Sequence, residues 1–92
     1  VAVDWGDFPD AVGRGDSSLR EVTVSSTAGG ARAHCRVTVN GVEMTAKEGY
    51  LNGPLTLPVG VFGAEDALEF AVEVCFPELP LRPVVESRQV AV

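Results

Sequence analysis

From Ala31 to Ala46 the chain reads ARAHCRVTVNGVEMTA, and apolar and polar positions alternate through its first half. Ala31, Ala33, Cys35, Val37 and Val39 share one parity; Arg32, His34, Arg36 and Thr38 share the other. Period two marks a strand with one buried face. Asn40-Gly41 follows, a pair suited to the left-handed conformations of a two-residue hairpin turn. A turn there predicts Val39 opposite Val42, Val37 opposite Met44 and Cys35 opposite Ala46. On the other face it sets Thr38 opposite Glu43 and Arg36 opposite Thr45. Apolar residues meet apolar residues, so pattern and turn agree.

The same alternation returns between Leu68 and Phe76. Leu68, Phe70, Val72, Val74 and Phe76 form the better core face; Glu69, Ala71, Glu73 and Cys75 face away. Leu19 to Ser25 predicts a strand with Val22 and Val24 on one face. A short strand is expected near Leu55 to Leu57, with irregular chain on both sides and Pro58 at an edge or bend. Val84 to Val92 predicts a last strand, and neither of its faces is cleanly apolar, which suits an edge or an interface. Ser26 to Gly30 reads as a polar turn, Glu65-Asp66 as a loop, and FPELPLRP as an extended connector or protected edge.

Six or seven short strands with glycine-proline links and almost no helix signal predict an all-β fold. The expected form is a small antiparallel β-sandwich, immunoglobulin-like, with a small closed β-barrel as the alternative. Residues 1–18 read as an acidic N-terminal loop or arm containing glycine and proline, with an edge strand within Val1 to Trp5. Residues 19–92 read as a single β-sandwich domain.

The chain has 92 residues, enough for one domain with a thin core. Its formal net charge is -6, Lys47 is its only lysine, and no basic run occurs. This argues against nucleic acid or an anionic membrane surface as partner. No apolar run approaches the length that spans a bilayer, so membrane insertion is not expected. The two cysteines, Cys35 and Cys75, fit a disulfide formed in an oxidising compartment, which the loop-entropy estimate values at roughly 4 kcal/mol. Two reduced, buried thiols are the alternative. Cys75 lies on the parity opposite to its strand's core face, so the bond would need a bulge or a strand end buried on both faces.

Candidate chemistry concentrates in DWGDFPDAVGRGDSS, Asp4 to Ser18. Asp4, Asp7 and Asp10 recur every third residue, with Asp16 nearby, and carboxylates on a flexible loop suit calcium. The spacing is not that of an EF-hand, and a solvated acidic arm is the plain alternative. Arg14-Gly15-Asp16 would present an integrin-type motif if the loop displays it. Trp5, Phe8 and Tyr50 are candidate stacking residues for a sugar or peptide, or else lids on a small core. His34 lies between Arg32 and Arg36. Pairing with Cys35 for nucleophilic work fails because neighbours on a strand point to opposite faces, and a zinc site with Cys35 and Cys75 lacks a fourth ligand. Arg32, His34, Arg36 and Lys47 make a small basic strip, expected to pair with Glu43 and the Glu69-Glu73 face. Glu69 and Glu73 share a face, but acid-base work also needs a cleft. No catalytic residue and no required cofactor is expected.

DWGDFPD resembles an acidic GDxPD-type segment of some bacterial surface proteins, and GYLNG, Gly49 to Gly53, resembles a piece of their β-sandwich repeats. In that family a tryptophan and an acidic, asparagine-rich loop follow; here Pro54, Leu55, Thr56 and Leu57 follow instead. The resemblance covers about a dozen residues and implies only an extracellular or cell-surface β-sandwich.

The expected function is therefore that of a non-catalytic, secreted or surface-displayed binding module, acting through protein or ligand contacts. One alternative is an assembly subunit that self-associates through edge strands such as those holding VAVDW and ESRQVAV. Another is a small enzyme inhibitor that presents the loop 49–60, stiffened by Pro54 and Pro58.

Overall fold

The computed structural model describes residues 1–25, 32–50, 53–61, 66–80 and 82–92, with Tyr50 described in its main chain only. The predicted turn at Ser26 to Gly30 and residues 62–65 lie outside this set. The described residues form seven strands: β1 (Ala2–Asp4), β2 (Ser17–Ser25), β3 (Arg32–Val39), β4 (Val42–Tyr50), β5 (Gly53–Gly60), β6 (Ala67–Cys75) and β7 (Val84–Ala91). They form two antiparallel sheets, ordered β1-β2-β5 and β4-β3-β6-β7. No ladder joins the two sheets among the described residues, so the arrangement is sandwich-like and not a closed barrel.

The alternating faces supply the core. Val22, Val24, Leu55, Leu57 and Val59 come from the smaller sheet; Ala33, Cys35, Val37, Leu68, Phe70, Val72, Val74 and Val90 come from the larger. Fully burying one such valine, leucine or phenylalanine stabilises by about 1.5–3 kcal/mol. The parity expected for β3 and β6 is the parity observed: Cys35 lies across from Val74, Val37 from Val72 and Val39 from Phe70.

The hairpin turn forms where expected. Asn40 and Gly41 have φ of 50° and 83°, the left-handed pair that a turn of this kind requires. Asn40 also fastens the turn to β6. Its main-chain N donates to Glu69 O at 2.9 Å. Its side-chain Oδ1 accepts from Glu69 N at 2.8 Å, and its Nδ2 donates to Ala67 O at 3.2 Å.

The hairpin register departs from expectation after two pairs. Val39 opposes Val42 and Thr38 opposes Glu43, but Val37 then opposes Thr45 and Cys35 opposes Lys47. Met44 is the extra residue of a β-bulge, which shifts every later pair by one. Lys47 therefore takes the parity of Cys35 and not that of His34. Alternation along β4 alone cannot reveal the bulge, because this edge strand is exposed on most of its length.

β5 is longer than the sequence suggests and holds both prolines. It pairs with β2 from Gly60 opposite Ser17 to Gly53 opposite Val24, with Pro58 opposite Leu19 and Pro54 opposite Thr23. The two prolines share one parity. A ladder of this length needs its donors on the other parity, so the proline nitrogens face the open edge.

The N-terminal segment reaches both sheets. β1 pairs with β2, Phe8 is 4% exposed within the core, and Ala11 bridges Ala91 at the end of β7.

Candidate functional site

The cysteines are free, which corrects the disulfide expected from their number. The reason is register. Cys35 opposes Val74, while Cys75 opposes His34 on the neighbouring strand. The two side chains leave opposite faces of one sheet, and no bulge between β3 and β6 brings them together. The Cys75 thiol instead donates to the His34 carbonyl at 3.6 Å. Cys35 is buried, and desolvation pushes its thiol up, with Lys47 opposing the shift and Cys75 adding to it.

The same register assembles a row that sequence parity did not foresee. Glu48, His34 and Cys75 lie side by side across β4, β3 and β6 on the outer face. The residue neighbouring the histidine is thus the other cysteine. Reaching it required the β3–β6 register, which no local pattern encodes. The row lies on an open sheet face, and among the described residues no three histidine, cysteine or acidic side chains are grouped to hold a metal.

The two arginines of the basic strip are paired, one of them with the expected Glu73. Arg32 meets Glu48 at 3.7 Å and Arg36 meets Glu73 at 3.6 Å. Glu73 is thereby engaged with an arginine, and Glu69 gives its main-chain N–H to Asn40.

The residues singled out in the N-terminal segment are dispersed. Asp4 accepts the Gly6 amide at 2.9 Å, a local turn contact. Asp10 pairs with Arg88 of β7 at 3.2 Å. Asp7 is exposed, and Asp16 receives no side-chain partner among the described residues. Among the described residues no three acidic, histidine or cysteine side chains, Asp4, Asp7 and Asp10 included, are grouped to hold a metal ion. Arg14 is drawn to Asp66 at 3.0 Å, away from the splayed display that the Arg14-Gly15-Asp16 motif needs. Phe8 stands edge-on to Phe70 with ring centroids 4.9 Å apart, and Trp5 stands edge-on to Phe8 at 5.2 Å. Phe8 is buried in the core, and Trp5 packs half-buried against it. The Tyr50 side chain lies outside the described residues.

A site not singled out from the sequence opens between the edges of the two sheets. A cleft of about 440 Å³ is lined by Val39, Asn40, Val42, Met44, Pro58, Gly60, Leu68 and Phe70. Its volume falls in the range of small-ligand and side-chain pockets. Val42 is 65% exposed and Met44 is 40% exposed on its rim, while Phe70 and Leu68 are buried at its base. The bulge helps create this rim, since it turns Met44 out of the β3–β4 ladder. Its one signal in the sequence is the apolar pair Val42 and Met44 beside the hairpin turn, which the expected register assigned to the core. In comparison with known proteins, no family model, no curated protein and no solved structure matches the chain.

The findings amount to a small all-β sandwich whose shape is compatible with a binding module. Among the described residues no helix is long and apolar enough to cross a membrane.

Proposed function

We propose that the chain is a non-catalytic binding module that receives an apolar side chain or short segment of a protein partner in the cleft between β4 and β5. The observation that carries this reading is the exposed pair Val42 and Met44 above a base of Phe70 and Leu68. A large apolar residue held in the open on a cleft rim gains the most by being covered, and flexible methionine suits varied partners. The order β1-β2-β5 against β4-β3-β6-β7 supports placing the sandwich in the immunoglobulin-like class. Display outside the cell is part of the reading. It rests on the local resemblance of DWGDFPD, since free thiols withdraw the argument from an oxidising compartment.

The test is retention of partner proteins from the medium bathing the source cells, using the immobilised chain beside its Val42→Glu and Met44→Glu variants. Loss of the same bound protein in both variants, with circular dichroism unchanged, supports the cleft. Undiminished retention by both would sink it.

A second reading, the assembly subunit, is favoured by a different observation. Among the described residues, the outward main-chain groups of β7 have no strand beside them over most of its length.

A further inference from the structure

Each sheet has two outer strands, and three of these four edges carry a device that discourages pairing. β1 is only 3 residues long. β5 turns proline nitrogens outward, and β4 is bent by its bulge and carries Lys47. β7 is regular: its register with β6 runs unbroken from Ala67 opposite Ala91 to Val74 opposite Val84.

Two hydrogen bonds fix which of its main-chain groups face the open edge. Ala91 N donates to Asp10 O at 2.9 Å, and Ala91 O accepts from Val12 N at 2.8 Å. Both polar groups of Ala91 therefore point away from β6. The direction alternates along a strand, so Gln89, Ser87 and Val85 also offer N–H and C=O outward. Among the described residues these have no neighbouring strand.

We propose that this edge pairs antiparallel with the β7 edge of a second copy of the chain, about a two-fold axis at Ser87. In that register Val85 opposes Gln89 of the second copy and Ser87 opposes Ser87, each pair exchanging both main-chain bonds. Between them lie the closer, non-hydrogen-bonded pairs. Glu86 faces Arg88 of the second copy, and Arg88 faces its Glu86. Val84 faces Val90. The segment VVESRQV thus complements itself when reversed, both in charge and in apolar ends.

The charges also reject the neighbouring registers. An axis at Glu86 sets glutamate against glutamate, and an axis at Arg88 sets arginine against arginine. Glu86 and Arg88 lie on the parity of the core-facing Val90, where charges on an edge strand discourage an arbitrary partner. A strand bearing the reciprocal charges at the same spacing meets no such obstacle, and β7 itself is one. Arg88 is held by Asp10 in the single chain, but that carboxylate is 94% exposed, so the exchange for Glu86 of the second copy gives up only a solvated contact. The 10–12 segment covers Ala91 and sets the outer limit of the new ladder.

The test is sedimentation velocity of the full chain over a concentration series. The wild type should dimerise. Glu86→Arg alone and Arg88→Glu alone should each weaken the dimer at least tenfold. An equimolar mixture of those two variants should recover it, because every cross-pair is again opposite in charge. Ser87→Pro removes an outward donor while leaving the β6 ladder intact, and it should abolish the dimer with the circular dichroism spectrum retained. A wild type that stays monomeric at millimolar concentration overturns the proposal, as does a mixture that fails to recover the dimer. Val42→Glu should dimerise like the wild type, so the cleft and the β7 contact stand or fall separately.

Discussion

Cys75 lies directly across the β3–β6 ladder from His34, one pair away from the Val74 that opposes Cys35. The two thiols are thereby assigned to different faces and different chemistry. Alkylation of the denatured chain without reductant should label both cysteines, and reductant should leave the melting temperature unchanged. In the native chain Cys75 should react first. Mass spectrometry of the partly labelled protein decides the order, and simultaneous labelling would contradict the burial of Cys35.

Burial also gives Cys35 a pH dependence of known sign. Its thiol is pushed up by desolvation, with Lys47 opposing and Cys75 reinforcing. A raised folded value favours the native state below the ordinary thiol range, and that contribution is lost as pH rises through the folded value. Unfolding in urea should show stability falling on the alkaline side, and Cys35→Ala should flatten that fall. A slope equal in both proteins would mean that another group governs it.

Asn40 joins three strands through one turn. Asn40→Ala removes the exposed contacts to Glu69 N and Ala67 O, and it should cost about 0.5–1.5 kcal/mol, the net worth of an ordinary hydrogen bond. Chemical denaturation measures it. A loss well under this range would show that water replaces the amide at no expense.

Phe8 is the deepest contribution of the N-terminal segment. Its ring is edge-on to Phe70, and Phe8→Ala should destabilise by about 3–5 kcal/mol. Asp7→Ala, on the exposed side of the same segment, should stay within about 0.5 kcal/mol. Added calcium or chelator should move neither melting temperature, since Asp4, Asp7 and Asp10 are not grouped to hold a metal ion.

Pro54 and Pro58 guard the β5 edge. Replacing both by threonine restores two outward donors and should raise aggregation on heating, measured by light scattering, with little change in the folded spectrum. Unchanged scattering would mean that the neighbouring cleft, and not the prolines, protects that edge.

The legible parts of the sequence were those with strong local alternation. β3, β6 and the Asn40-Gly41 turn followed from period two and from residues that tolerate positive φ. The illegible parts depend on non-local pairing. The Met44 bulge sits on an exposed edge, where no burial constrains the pattern. β5 continues through two prolines because it is an edge strand whose donors are needed on one side only. The cleft is formed by strands from different sheets, and its only local mark is the apolar Val42 and Met44 beside the turn. The Cys75–His34 neighbourhood is set by a register between distant strands and leaves no mark in any short window. The Cys35–Cys75 bond was inferred from number alone, and the parity of Cys75 already pointed the other way.

The ion pair of Asp10 and Arg88 joins residues 78 positions apart, and the Ala11–Ala91 bridge lies beside it. Such a closure cannot guide the early steps of folding, because the entropy of bringing remote segments together must be met first. The β3–β4 hairpin can form within microseconds, whereas the seam between residues 10–12 and β7 waits for the rest of the chain. A ribosome-bound chain would therefore leave residues 10–12 without their partner until β7 has emerged, and mutations that loosen this seam should speed unfolding far more than they slow folding.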